Sequence, residues 1–529
     1  MSLISEVAKK WLRDIKFFSQ IVIRRPLYRY QLEPACAIVD SVIFKRGLEF
    51  AVLFPRQAGK NETQSHVEAY LMNMFQRVPG AQIVKAQPTF KPQAINAMMR
   101  LERALDNDWN KGQWVRKEDE WTKKAGYIYQ LGQAAMTFFS AEPSAQAVGA
   151  SATLMLEGDE AQDILESEWG RKFEPMMAST NATMVLWGTA WTSKTLLAKT
   201  VKRLRALELA DGIRRVFVVT PERVAEENPD YGKFVARQVA KHGRNHPLVR
   251  TQYFNEEIDA DGGMFPVARR ALMHGTHPRQ AQPSPGKLYV FTLDVAGEDE
   301  GATGDRVVAD REALANPERD AIALTVVEVD PSTLHDPLIA APSYKAVDRR
   351  LWIGVKHTML YGQIVALARL WGARHVVVDA TGVGAGLASF LDKALPGKVI
   401  PFIFNSATKS QLGWQFLAIV ETGRWQDWAV PDSPLPAGEG PGVRAISDPD
   451  SLTFWHELAF VQYEAGLHQT LRWGTPPNTR DPATGELVHD DTVVSAALSA
   501  VLDELDWSLA MPMAIIPGRD PLEDIDRGR

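Results

Sequence analysis

Three aspartates constrain this chain more than any other feature. Asp294 ends KLYVFTLD, Asp379 ends HVVVD, and Asp491 stands in HDD ahead of TVVSAALSAVL. The first two close apolar, strand-like runs and the third opens a helix-like one. Acids at strand ends and a helix start can face one another rigidly only if strands and helix share one layered α/β structure. Any one of them alone reads as a cap or turn residue. The ordered trio points to converging carboxylates.

The chain has 529 residues, too many for one core, so two domains of ordinary size are expected. From about residue 48 to 220, β-type runs alternate with helical patterns, as in a parallel sheet flanked by helices. The strand candidates are EFAVLF, QIVKA, YIYQL, AMTFF, TLMLE, TMVLWG and RRVFVV. Residues 221–285 carry a polar helix, then EEIDADGGMF and a Pro- and Gln-rich stretch, and read as a small lid or linker subdomain. A second pattern fills 286–508. KLYVFTLD, AIALTVVEV and RLWIGVK come first, then HVVVDA and VIPFI alternate with helices, which is the order of an RNase H-like fold. Residues 509–529 lack periodicity and read as an exposed arm.

Hydrophobic residues make up 45% and charged residues 23%, which excludes a disordered or fibrous chain. A net charge of -6 leaves nucleic-acid binding open, because a local basic stripe can neutralise phosphates on an acidic protein. A single cysteine, Cys36, excludes an intramolecular disulfide or thiolate zinc cluster. The amphipathic start lacks a secretion signal's apolar core, and no apolar run is long enough to span a bilayer. The expected location is the cytoplasm, with no membrane partner.

Upstream, PRQAGKNE follows the strand EFAVLF and precedes a helix. A turn so placed aims backbone N–H groups and a helix N-terminus at phosphates. Its candidate contacts are Arg56, Gln57, Ala58, Gly59, Lys60 and Asn61, although Asn61 stands where such loops usually place Ser or Thr. Residues 153–160, TLMLEGDE, form an apolar strand ending in two acids. Asp159 suits magnesium and Glu160 suits orienting and deprotonating an attacking water. Gln31, in YQLEP, can read an adenine edge or simply start a helix. Gly188-Thr189 can sense a γ-phosphate or simply turn the chain.

In the second pattern, Asp294, Asp379 and Asp491 suit two divalent metals that hydrolyse a phosphodiester, with Asp490 adjacent and Asp320 accessory. His489 is a metal or phosphate ligand, or a surface histidine. Glu298, Asp299 and Asp305 read as solvated acids of an insertion. Arg24, Arg25 and Arg29, Lys199, Lys202, Arg203 and Arg205, and Arg237, Lys241 and Arg244 are equally phosphate contacts or solvated helix faces.

With these motifs quoted, the chain resembles the large terminase subunit of tailed bacteriophages, from Tyr30-Gln31 to His489-Asp490-Asp491. The resemblance implies an ASCE-type P-loop ATPase followed by the RNase H-like nuclease. It carries over Arg56 and Lys60 as phosphate contacts, Asp159 on magnesium and Glu160 as catalytic base. GTAWT is similar to that family's coupling motif, and Asp294, Asp379 and Asp491 fall on its nuclease triad. It further implies ATP with Mg2+ at the motor site, Mg2+ or Mn2+ at the nuclease, and double-stranded DNA as substrate. A portal protein, a small terminase subunit and a homo-pentameric ring in the host cell cytoplasm complete the picture. The loop SAEPSAQAVGASA, where some members carry an arginine that reaches a neighbouring subunit, has no basic residue here. That role falls to Arg56 or to an arginine elsewhere. The competing readings are a helicase whose second half is another motor lobe, and a non-enzymatic scaffold that binds portal or capsid.

Overall fold

The computed structural model describes residues 14–118, 125–145, 149–259, 261–297, 320–337, 339–429, 449–482 and 484–507. The acids expected in an insertion, Glu298, Asp299 and Asp305, and the arm after Ala510 lie outside them. The chain divides into two compact units. The first comprises Met1–Val239, Gly243–Asp261 and Ala465–Thr470, and the second Ala240–His242, Gly262–Glu464 and Leu471–Arg529.

In the first unit all seven expected strands form. They are β1 (Glu49–Leu53), β2 (Gln82–Gln87), β4 (Ala125–Leu131), β5 (Ala134–Ser140), β6 (Met155–Gly158), β7 (Thr183–Gly188) and β8 (Val216–Val218), and β3 (Trp114–Glu118) adds an edge strand. The sheet order is β3-β4-β5-β2-β6-β7-β1-β8. From β5 to β8 every pairing is parallel, and β3 and β4 extend it antiparallel. The central strands read as unbroken apolar runs because both faces are covered. Phe50 and Val52 of β1 face one core, whereas Ala51 and Leu53 face the other. β7 lies between β1 and β6, so the loop after β1 and the acids after β6 flank its carboxyl end, where ligands of open α/β sheets bind.

Helices α1 (Arg29–Ile43), α2 (Lys60–Phe75) and α3 (Leu196–Asp211) belong to this unit. Helix α3 begins at Leu196 because the Thr195 side chain caps it by accepting from the Ala198 N–H.

The second unit holds a six-stranded sheet. Its strands are β9 (Leu288–Asp294), β10 (Ala321–Asp330), β11 (Ser343–Ile353), β12 (His375–Asp379), β13 (Val399–Phe402) and the short β14 (Trp425–Gln426). The order is β13-β12-β9-β10-β11-β14. β9, β10 and β11 form an antiparallel meander, and β12 and β13 run parallel to β9. This is the RNase H-like arrangement. The principal helices are α4 (His357–Leu370), α5 (Gly384–Ala394), α6 (Ser406–Glu421), α7 (Pro449–Phe460) and α8 (Asp491–Ala497).

Helix α8 is locked to the sheet by small polar groups. Ser495 donates to the Thr292 carbonyl at 2.9 Å and its hydroxyl meets that of Thr325 at 3.0 Å. That contact sets the first residue of the helix against the strand ends. Among described residues no helix is long and apolar enough to cross a membrane.

A fully buried ion pair secures β11. Arg349 donates to Asp427 at 2.6 Å, and its guanidinium lies 4.1 Å from the Phe454 ring and 4.9 Å from that of Trp428. Removing one partner strands the other charge in the core, at a cost of about 3–5 kcal/mol. Asp427→Ala is therefore expected to lower the midpoint of a calorimetric unfolding transition sharply, and the charge-free pair Arg349→Met/Asp427→Leu to recover much of the loss.

Candidate nucleotide and metal sites

The loop between β1 and α2 is shaped by backbone geometry. Gly59 has φ +86°, a left-handed conformation that costs glycine nothing, and it immediately precedes Lys60, the first residue of α2. Gln57 also has positive φ, at 65°. Neighbours hold the loop from several sides. The Tyr231 hydroxyl donates to the Arg56 carbonyl at 3.0 Å, and that of Tyr30 to the Ala58 carbonyl at 3.2 Å. The Arg56 side chain donates to Gln252 Oε1 at 2.7 Å.

Gln31 is buried. Its Oε1 accepts from the Tyr28 N–H and its Nε2 donates to the Gly59 carbonyl at 3.1 Å. The amide thus caps the start of α1 and ties that helix to the loop.

Lys60 reaches across to the end of β6, with Nζ 2.8 Å from Asp159 and 2.6 Å from Glu160. Burial works against its charge, but the two carboxylates outweigh burial and hold its pKa above the ordinary value. Burial likewise opposes ionisation of Asp159. The Lys60 and Lys85 charges, with hydrogen bonds from Lys60 and Gln64, still bring its pKa below the usual carboxylate range. Glu160 sits at φ +50°, strained for a residue with a side chain, in the position that aims its carboxylate at the loop lysine.

These residues wall a cavity of about 550 Å³, a size suited to a nucleotide. Arg56, Gln57, Gly59, Lys60, Asn61 and Glu160 line it. Gln31, Ala58 and Asp159 do not. Several residues that sequence reasoning passed over also line the wall. Arg100 is one of them. Gln162 donates to Glu160 Oε2 at 2.8 Å and accepts from the Thr189 N–H at 3.2 Å. A Cβ on Gly188 would come within 2.2 Å of Gln162 Oε1, so glycine there lets the amide bridge the acidic strand to Thr189.

The second site gathers Asp294, Asp379, Asp490, Asp491 and Asp320 around one cleft of about 280 Å³. Asp294 ends β9 and Asp379 ends its parallel neighbour β12. Asp490 and Asp491 cap and open α8. Backbone N–H groups orient the acids: Thr381 donates to Asp379 at 2.8 Å, Ala321 to Asp491 at 2.6 Å and Thr475 to Asp490 at 2.9 Å. His489 Nδ1 lies 2.7 Å from Asp320 Oδ1. Ligand atoms of Asp320, His489 and Asp491 all fall within 4.8 Å of one another.

Burial raises the pKa of Asp294, reinforced by the charges of Asp379 and Asp490. Burial also raises that of Asp491, with Asp294 and Glu457 adding to it, and that of Asp379. A nest of oxygens that repel one another suits hard divalent cations such as Mg2+ or Mn2+. Lys409 lines the same cleft, and Glu457 accepts from both the backbone and the hydroxyl of Thr492, behind Asp491. Neither carries a local sequence signal, since each is defined only by what folds against it.

The basic residues singled out as phosphate contacts are partly committed elsewhere. Arg24 pairs with Asp108, Arg25 with Glu62, Lys199 with Glu166, Arg244 with Glu256, and Arg203 with Glu49.

No family model and no curated protein matches the chain. Among solved structures it is similar to the large terminase from the thermophilic bacteriophage D6E, with 11% identity over 90% of this chain and 100% of that one and a TM-score of 0.47. It is also similar to the large terminase of bacteriophage HK97, with 11% identity over 92% and 99% and a TM-score of 0.38. The large terminase nuclease from thermophilic phage G20c, with bound magnesium, matches 45% of this chain and 96% of its own at 16% identity, with a TM-score of 0.30.

Proposed function

We propose that this chain is the large subunit of a viral DNA-packaging terminase, an ATP-driven translocase of double-stranded DNA with a metal-dependent endonuclease that cuts concatemers. One observation carries the reading: two separate acidic sites, one facing a phosphate-type loop and its lysine, the other a cleft of five aspartates at the end of an RNase H-like sheet. The meander β9-β10-β11 is not the parallel sheet a second motor lobe requires, which speaks against a helicase.

At the motor site the triphosphate lies along the loop backbone and the N-terminus of α2. Lys60 exchanges its carboxylate partners for phosphate oxygens. Asp159 is then free for Mg2+, and Glu160 orients and deprotonates water. Arg56 and Arg100 supply positive charge at the cavity wall. Gln162 links Glu160 to Thr189, so a change at the acid is felt at the end of β7.

At the nuclease site Asp294, Asp379, Asp490 and Asp491 would hold divalent cations, with Asp320 and His489 accessory. Bound cations supply Lewis-acid activation of water and neutralise the phosphodiester. Lys409 meets the phosphate. The partners of this reading are a portal protein, a small terminase subunit, and further copies of the chain in a pentameric ring.

Lys60→Ala and Arg56→Ala are each expected to cut ATP turnover by about 10²-fold or more, and near-normal phosphate release from the Arg56 variant would remove that residue from the mechanism. Cleavage of supercoiled plasmid in Mn2+ or Mg2+ is expected of the wild type and to vanish in Asp379→Ala, with Lys409→Ala reduced about 10-fold or more. Absence of cutting by the wild type with either metal would leave only the motor.

The raised carboxyl pKa values make a separate expectation. The folded cleft binds protons more tightly than the unfolded chain, so its contribution to stability falls as pH rises from the ordinary aspartate range through the raised folded values. Divalent cations relieve that repulsion. Thermal midpoints are expected to rise with Mn2+ and more at pH 8 than at pH 5, and Asp294→Asn to raise the midpoint in EDTA while blunting the metal shift.

A further inference from the structure

Beneath the nucleotide cavity, Lys60 begins a row of buried polar groups whose further members the ATP reading does not use. Helix α2 turns Lys60, Gln64 and Glu68 toward the sheet, at i, i+4 and i+8, which places them on one stripe of its buried face. All three are buried where a core helix would ordinarily carry apolar side chains. Opposite them, in the middle of β2, stands Lys85, only 1% exposed. A lysine inside a central parallel strand is costly unless it is fully paired.

Lys85 is held by two side chains of α2. Its ammonium donates to Glu68 Oε1 at 2.7 Å and to Gln64 Oε1 at 3.0 Å. Gln64 passes the connection on, because its Nε2 donates to Asp159 Oδ1 at 3.0 Å. From the β2 side, Gln87 Nε2 donates to the other oxygen, Asp159 Oδ2, at 3.2 Å. Lys85 is in parallel register with Glu157 of β6, two residues before Asp159, and Glu157 accepts from the Trp187 indole at 3.0 Å.

We propose that Lys85 is a positioning residue of the ATP site, fixing the Asp159 carboxylate through Gln64 so that it keeps its orientation when Lys60 leaves it for phosphate. A pair present for stability alone would need only Glu68. The amide inserted between Lys85 and Asp159 has no such purpose, and an amide can bridge them in one orientation only, oxygen to lysine and nitrogen to carboxylate. As Lys60 departs, Asp159 loses its nearest cation but retains two side-chain donors and the field of Lys85. Asp159 therefore meets Mg2+ ionised and already aimed. The inference rests on the reading of Asp159 as the magnesium carboxylate.

The test compares binding of a non-hydrolysable ATP analogue in EDTA and in Mg2+ for the full chain, alongside the Mg2+ concentration giving half-maximal ATPase. Gln64→Leu interrupts the relay and leaves the Lys85–Glu68 pair intact. Lys85→Met combined with Glu68→Leu removes both buried charges together, so that neither is left unpaired. Each variant is expected to bind the analogue in EDTA within about twofold of wild type. Each is also expected to lose about tenfold or more of the gain in affinity that Mg2+ brings, and to need correspondingly more Mg2+ for turnover. If the double variant does not fold, Gln64→Leu decides alone.

Asp159→Asn separates the two layers of the argument. If it keeps the wild-type Mg2+ dependence, the reading of Asp159 fails and takes this inference with it. If it loses that dependence while folded Gln64→Leu keeps it, the relay through Lys85 is overturned and the ATP site stands.

Discussion

A buried ammonium between two carboxylates organises the first unit. Lys60 opens α2, and Asp159 and Glu160 follow β6, so their contacts at 2.8 and 2.6 Å join these two elements across the cavity. The arrangement is stable because each charge offsets the desolvation of the others, and it is exchangeable because phosphate oxygens can replace the carboxylates. The left-handed Gly59 and the strained Glu160 follow from this requirement, since both bend the chain to bring these groups face to face.

The second unit stores the opposite kind of electrostatics. Its aspartates gather with Lys409 in the cleft; burial raises the pKa of Asp294, Asp379 and Asp491, and neighbouring carboxylates add to it at Asp294 and Asp491. Rigid framing sustains the repulsion. Strand ends in fixed register, backbone N–H donors and the Ser495 contact with Thr292 and Thr325 leave the acids little freedom to separate. Such a site is stabilised by binding cations, whereas the acids at the end of β6 already have the Lys60 ammonium as partner. The two halves thus use buried charge in contrary ways.

Much of this was legible in the primary structure. Asp294 and Asp379 end apolar runs, and Asp490-Asp491 precede a helical pattern, because local periodicity records which residues lie at the ends of elements. The seven strands of the first unit were legible for the same reason. The edge strand Trp114–Glu118 was not, as its composition, with Arg116, Lys117 and Glu118, is that of a solvated loop. Gln31 was ambiguous, for only the fold shows both ends of its amide engaged. Gln162, Gln252, Lys409 and Glu457 were invisible, each being an ordinary polar residue whose meaning lies in a distant partner.

The sequence by itself determined which elements exist and which acids stand at their ends, since hydrophobic periodicity and turn chemistry act over a few residues. The tertiary structure alone decided what those acids meet. Strand order put β7 between β1 and β6, parallel register levelled Asp294 with Asp379, and the buried stripe of α2 was set against Lys85. These are consequences of long-range packing, in which burial removes water as a competing partner and makes the choice of neighbour the dominant energy.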